Sequence, residues 1–234
     1  QSLNIKIISN DLEVNNIAKK VGVTPNVGAA ATKRQFLRLC SEHRSVHVAT
    51  HGVLNARDPM FNFITFAQPG KTVNTEEFFY LQELDTCNLD LDMAVFSACE
   101  TAVGAKEEGE GDISLARGLA RAGVRSLVAT LWPVFSQETA KLMPMFYESL
   151  TKDDGSKAPK DQALAEAKRN YILSGRKNGD PRLWAGVILI GSTETIDLAK
   201  PGTEVKWWAF MIMAALGVTV AAFWLRRRRT RNVS

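Results

Sequence analysis

Four short runs of this chain are apolar almost throughout: VHVAT (46–50), MAVFSA (93–98), SLVATLW (126–132) and WAGVILI (184–190). A strand that is apolar on both of its alternating sides must be covered on both faces. That requirement predicts an α/β fold with a mainly parallel central sheet and helices on either side. A fifth strand is expected at IKIIS (5–9), and FNFITFA (61–67) alternates like a half-exposed strand. Helical patterns fall between these runs: one capped by Asp11 and stopped by Gly22, one at Thr32–Ser41 and one at Thr75–Leu81. Others run from Asp112 to Ala122, closed by Gly123, and over about 136–150 and 159–174. The 234 residues are enough to bury a core without staples, and 45% hydrophobic with 23% charged residues excludes a disordered or collagen-like chain.

The far end of the chain has a different character. Residues 207–225, WWAFMIMAALGVTVAAFWL, carry no charge, and as a helix they would extend about 28 Å, close to the thickness of a bilayer's hydrocarbon core. Trp207, Trp208 and Trp224 stand at its ends, and Arg226, Arg227, Arg228, Arg229 and Arg231 follow directly. This pattern predicts one transmembrane helix with an aromatic belt and a basic stop, and a buried core helix is the weaker reading. The expected organisation is an α/β domain over 1–191, a juxtamembrane linker over 192–206, the span over 207–225 and a basic tail over 226–234. The formal charge of +4 belongs to that tail, since residues 1–225 sum to −1. The body therefore offers no electrostatic footprint for nucleic acid.

For a single span, the positive-inside rule puts the tail in the cytoplasm and the domain across the membrane; a tail-anchored protein would have the opposite orientation. A start at Gln1 suggests a fragment or a processed form. Three cysteines, Cys40, Cys87 and Cys99, are too few for a disulfide framework and fit a reducing compartment slightly better. The side of the membrane on which the domain sits thus stays open.

Ligands of an open α/β sheet bind outside the carboxyl ends of its strands. VHVAT ends at His51-Gly52 and MAVFSA ends at Cys99-Glu100. Should those strands be neighbours, an imidazole and a thiol share one rim, as nucleophile and base require. The backbone N–H groups of Gly52 and Cys99 are natural donors for an oxyanion hole. The plainer reading is a small core cysteine and a satisfied polar histidine. In favour of the dyad, the histidine precedes the cysteine by 48 residues, as in the caspase arrangement, although Glu100 departs from the caspase signature.

Other candidates have simpler readings. Cys40, His43 and His47 lack any zinc-motif spacing, so neither a metal nor another cofactor is expected. Glu107, Glu108, Glu110 and Asp112 form an acidic loop after the cysteine, read first as solvated. One of them could instead line a specificity pocket for a basic substrate residue. Gly104, Gly109 and Gly111 are not followed by the Lys-Ser or Lys-Thr of a phosphate loop.

Three blocks in order carry a resemblance: HVATHGVLN, the long block from FSACETAVG through GEGDISLARGLARAG to FYESL, and RLWAGVILIG. Over about residues 5–191 the chain resembles the CHAT family of caspase-like cysteine peptidases, commonly found behind tetratricopeptide repeats. The resemblance implies a caspase-type α/β fold and a catalytic dyad at His51 and Cys99. It departs from the family at Ala102, where Gly is common, and at Asp112, where a hydrophobic residue is common. The expected function is a membrane-anchored cysteine endopeptidase that cleaves a protein partner, regulated by an N-terminal repeat region or regulatory protein. The alternative is a catalytically silent interaction module at the membrane.

Overall fold

In the computed structural model, the described residues are 5–9, 11–53, 61–68, 72–97, 110–132, 134, 136–151, 157–175 and 179–198. A five-stranded central sheet has the order β1-β2-β6-β7-β8, formed by β1 (Ile5–Ser9), β2 (Ser45–Ala49), β6 (Met93–Phe96), β7 (Ser126–Thr130) and β8 (Val187–Gly191). Three antiparallel strands make a second, smaller sheet: β3 (His51–Val53), β4 (Phe63–Thr65) and β5 (Phe78–Tyr80). The helices are α1 (Asp11–Val21), α2 (Lys33–Glu42), α3 (Glu110–Arg121), α4 (Ser136–Leu150) and α5 (Lys160–Leu173).

Alternation along the central strands divides the core into two layers. Ala49, Met93, Val95 and Val128 meet Val14 and Ile17 of α1, Leu142 and Phe146 of α4 and Tyr171 of α5. The intervening residues Val46, Val48, Ala94, Phe96, Leu127 and Ala129 meet Phe36 and Leu39 of α2 and Leu119 of α3. Both faces of the sheet are thus covered, which is why its strands read as continuous apolar runs.

The central sheet is mixed. β1, β2, β6 and β7 pair in parallel, but β8 runs antiparallel to β7. Two helices separate these last strands, and the second carries the chain back along the sheet, so β8 enters from the opposite edge. Gly191 ends that pairing at φ 100°, where a Cβ would lie 2.3 Å from the Arg125 carbonyl oxygen, so only glycine fits.

The predicted helix at Thr75–Leu81 is not formed. A single 3-10 turn at Thr75–Glu77 leads into strand β5, and a second 3-10 segment follows at Leu81–Thr86. In β5 the burial alternates, with Phe79 inward against the core and Phe78 and Tyr80 half-exposed, and pairing to β4 overrides the local helical pattern. The strand expected at 61–67 is confined to β4, and β3 was not anticipated. The proposed span 207–225 lies outside the described residues, among which no helix is long and apolar enough to cross a membrane.

Three rings fasten the small sheet to the larger body. Phe36 of α2 stacks on Phe66 at 5.1 Å and meets the edge of Phe79 of β5 at 5.6 Å, all three rings being buried. Such pairs add about 0.5–1.5 kcal/mol each beyond the area they bury. Phe79→Ala should lower stability by about 3–5 kcal/mol in chemical denaturation, and a loss below about 1 kcal/mol would show that the small sheet is held by something else.

Candidate functional site

The site rests on the condition that the two residue-bearing strands be adjacent, and they are. β2 and β6 pair in parallel with Val48 opposite Phe96, and the Ser97 N–H donates to the Val48 carbonyl at 3.1 Å, extending the pairing to the strand end. His51 follows Val48 by three residues, and Cys99 follows Phe96 by three. Neighbouring strands lie about 4.8 Å apart, so this register brings the carboxyl ends of β2 and β6 to one rim. Cys99 lies outside the described residues, as do Glu107 and Glu108. Glu110 and Asp112, read from sequence as part of an acidic loop, belong to the backbone of the first turn of α3, which starts two residues earlier than predicted.

His51 begins β3, where the chain passes through Thr50 from the central sheet into the small one. Two hydroxyls fix that passage. The Thr50 hydroxyl donates to the Thr65 carbonyl at 2.5 Å, and the Thr65 hydroxyl donates to the His51 carbonyl at 3.1 Å. Because β3 alternates, His51 and Val53 are exposed while Gly52 is buried opposite Ile64. The imidazole therefore stands on the outer face of a three-stranded platform. Thr65 and Phe78 continue its row, and Val53, Phe63 and Tyr80 form the next. The Phe63 and Phe78 rings stack at 4.2 Å, so the surface beside His51 is apolar and aromatic.

The other described titratable groups occupy different places. Cys40 is 2% exposed in α2, and burial pushes its thiol pKa far above the usual range. Burial, then the Glu83 carboxylate, raise that of Cys87. Both remain protonated and poorly nucleophilic at neutral pH. His43 caps the C-terminus of α2, and His47 is fully buried on β2, facing α1 and α4. Among the described residues no group of three or more His, Cys, Asp or Glu side chains is arranged to hold a metal ion. A cleft of about 220 Å³, lined by Cys40, His43, Arg44, Asn88 and Asp90 among others, opens at the amino ends of β2 and β6, the edge opposite His51.

Sequence reasoning missed the aromatic platform and the buried surroundings of His47. A histidine alternating with Val46 and Val48 in an otherwise apolar strand was the available signal for the second.

The fold is similar to that of two solved structures. The Arg-specific cysteine proteinase gingipain R aligns with a TM-score of 0.54 at 10% identity, over 83% of this chain and 47% of its own. A chain of the Saccharomyces cerevisiae separase–securin complex aligns with a TM-score of 0.54 at 14% identity, over 81% of this chain and 12% of its own. The chain thus spans about half of the first and about an eighth of the second, and at these identities the likeness concerns the fold alone. No curated protein matches it. The CHAT domain matches residues 8–192, which include both candidate catalytic residues and all eight strands but for the first three residues of β1. With that match spanning nearly four-fifths of its length, the chain belongs to the CHAT-domain family.

Proposed function

We propose that this chain is a cysteine endopeptidase in which Cys99 and His51 act as nucleophile and base on a protein substrate. The observation that carries the reading is the β2–β6 register, with Val48 opposite Phe96 and each candidate three residues beyond its partner. Family membership and the exposed position of His51 support it.

The chemistry follows from these two groups. The Cys99 sulfur attacks the scissile carbonyl carbon as its proton passes to His51. The carbonyl oxygen becomes an oxyanion that the N–H groups of Gly52 and Cys99 are suited to receive, a contribution of about 10²–10³ in rate per donor. When the tetrahedral species collapses, the C–N bond breaks and His51 protonates the departing amine. Water, deprotonated by His51, then attacks the thioester and releases the acid, regenerating the thiol. A substrate residue that is basic would pair with one of Glu107, Glu108, Glu110 or Asp112. An N-terminal repeat region or regulatory protein would control access to the site, and residues 207–225 would anchor the domain to a membrane with the basic tail on the cytoplasmic side.

An electrophilic peptide probe tests the nucleophile. At neutral pH it should label the wild-type chain once, at Cys99, because Cys40 and Cys87 are held as thiols. Cys99→Ala should abolish labelling with an unchanged circular dichroism spectrum, and His51→Ala should slow it by about 10²–10⁴-fold. Labelling of the Cys99→Ala chain at the wild-type rate would remove Cys99 from the mechanism. No labelling of the wild type, with or without candidate N-terminal partners, would favour the silent interaction module.

The anchor has its own test. The full chain should sediment with membranes and resist alkaline extraction, whereas a chain ending at residue 206 should be soluble. Extraction of the full chain at alkaline pH would exclude a transmembrane span.

A further inference from the structure

The layer beneath the proposed dyad contains a polar cluster that a purely apolar core would not need. His47, 0% exposed at the centre of β2, makes contacts to two helices and to the residue that follows β6. Its Nδ1 lies 3.0 Å from the Tyr147 hydroxyl of α4, and its Nε2 lies 2.9 Å from Oε1 of Glu13 of α1. The same Nε2 lies 3.2 Å from the Ser97 hydroxyl, just past the end of β6. The Thr139 hydroxyl of α4 donates to the other Glu13 oxygen at 2.9 Å. Glu13, Thr139 and Tyr147 are all at most 2% exposed, and Ser97 is 6% exposed.

The proton positions follow from the donors available. Burial, then the Glu13 carboxylate, hold the Tyr147 pKa well above its ordinary value, so the phenol keeps its proton. With that proton donated to Nδ1, the ring carries its own on Nε2 and donates it to Glu13, with Ser97 as a second acceptor. The carboxylate is then satisfied by two buried donors, one on each oxygen. Removing a carboxylate from water costs several kcal/mol, which hydrogen bonds only partly offset, so such a cluster is a poor source of stability. What it supplies is a fixed arrangement of the groups it joins.

We propose that His47 is a positioning residue for the reaction: its Nε2 staples the centre of the strand leading to His51 to the end of the strand leading to Cys99. His47 precedes His51 by four residues and Ser97 precedes Cys99 by two. Ser97 is bound to β2 twice, through its N–H to the Val48 carbonyl and through its hydroxyl to His47. Glu13 and Tyr147 fix the ring from the helical layer, so the imidazole cannot rotate away from Ser97 without breaking its other bonds. This function rests on the proposed Cys99–His51 chemistry, and the staple itself is measurable apart from it.

The experiment uses the whole chain with Ser97→Ala, which deletes one leg of the cluster, and Ser97→Thr, which retains the hydroxyl. Glu13→Gln, which preserves side-chain shape but removes the carboxylate, is a second route to the same effect. Ser97→Ala and Glu13→Gln should each lower the limiting rate of Cys99 labelling by about tenfold without changing the probe concentration that gives half that rate, and Ser97→Thr should restore it. In parallel, amide hydrogen exchange over residues 95–97 should quicken about fivefold in both slow variants, with residues 126–130 of β7 unaffected. Unchanged exchange at 95–97 in folded variants would overturn the staple whatever the labelling rates. Faster exchange with an unchanged labelling rate would overturn its positioning role. If exchange responds but the wild type takes no probe, the protease reading fails and the staple survives as a structural device.

Discussion

The parallel pairing of β2 with β6 is the constraint on which the rest of this protein's organisation depends. Its register fixes Val48 beside Phe96, so the two strands that precede the candidate catalytic residues in sequence end at the same edge of the sheet. The small sheet, the ring cluster and the buried polar network all act on that edge. β3 turns His51 outward immediately after β2 ends, and Thr50 and Thr65 pin the turn by hydroxyl-to-carbonyl bonds. Phe36, Phe66 and Phe79 attach the small sheet to α2, so His51 is carried by a surface with its own buried anchor.

The two faces of the central sheet have different tasks. One is apolar at every alternating position of β2, β6 and β7, and the hydrophobic effect accounts for its packing against α2 and α3. The other carries the buried polar residues Ser45, His47, Ser126 and Thr130 among its apolar ones, and gathers Glu13, Thr139, Tyr147 and Ser97 around His47. Polar groups with no access to water must be satisfied by each other, which ties α1, α4 and two strands into one geometry. The chemical character of the cysteines follows the same logic of burial. Cys40 and Cys87 are held as thiols by their surroundings, which leaves Cys99 as the cysteine proposed to react.

Much of this was legible from the residues because burial on both faces leaves a simple mark. β2, β6 and β7 stand within two residues of the apolar runs that predicted them, and α2, α4 and α5 within one residue of theirs. Short elements were less legible. In TEEFFYL the strand Phe78–Tyr80 shows its alternation over only three residues, too few to outweigh a helical pattern, and its partner β4 is distant in sequence. The reversed direction of β8 depends on α4 and α5 forming a returning pair, which the composition of WAGVILI does not encode. His51 and Cys99 could be singled out because each follows an apolar run, whereas Glu13 and His47 are 34 residues apart on different elements and meet only in the fold.

The account's central claim is that His51 and Cys99 form one reactive unit at the rim shared by β2 and β6. A crystal structure of the chain covalently captured by a peptidyl electrophile measures this directly. The adduct should be on the Cys99 sulfur with a nitrogen of the His51 ring within about 4 Å of it. An adduct on another cysteine, or a His51 ring well beyond hydrogen-bonding reach of Cys99 and of the captured peptide, would contradict the claim.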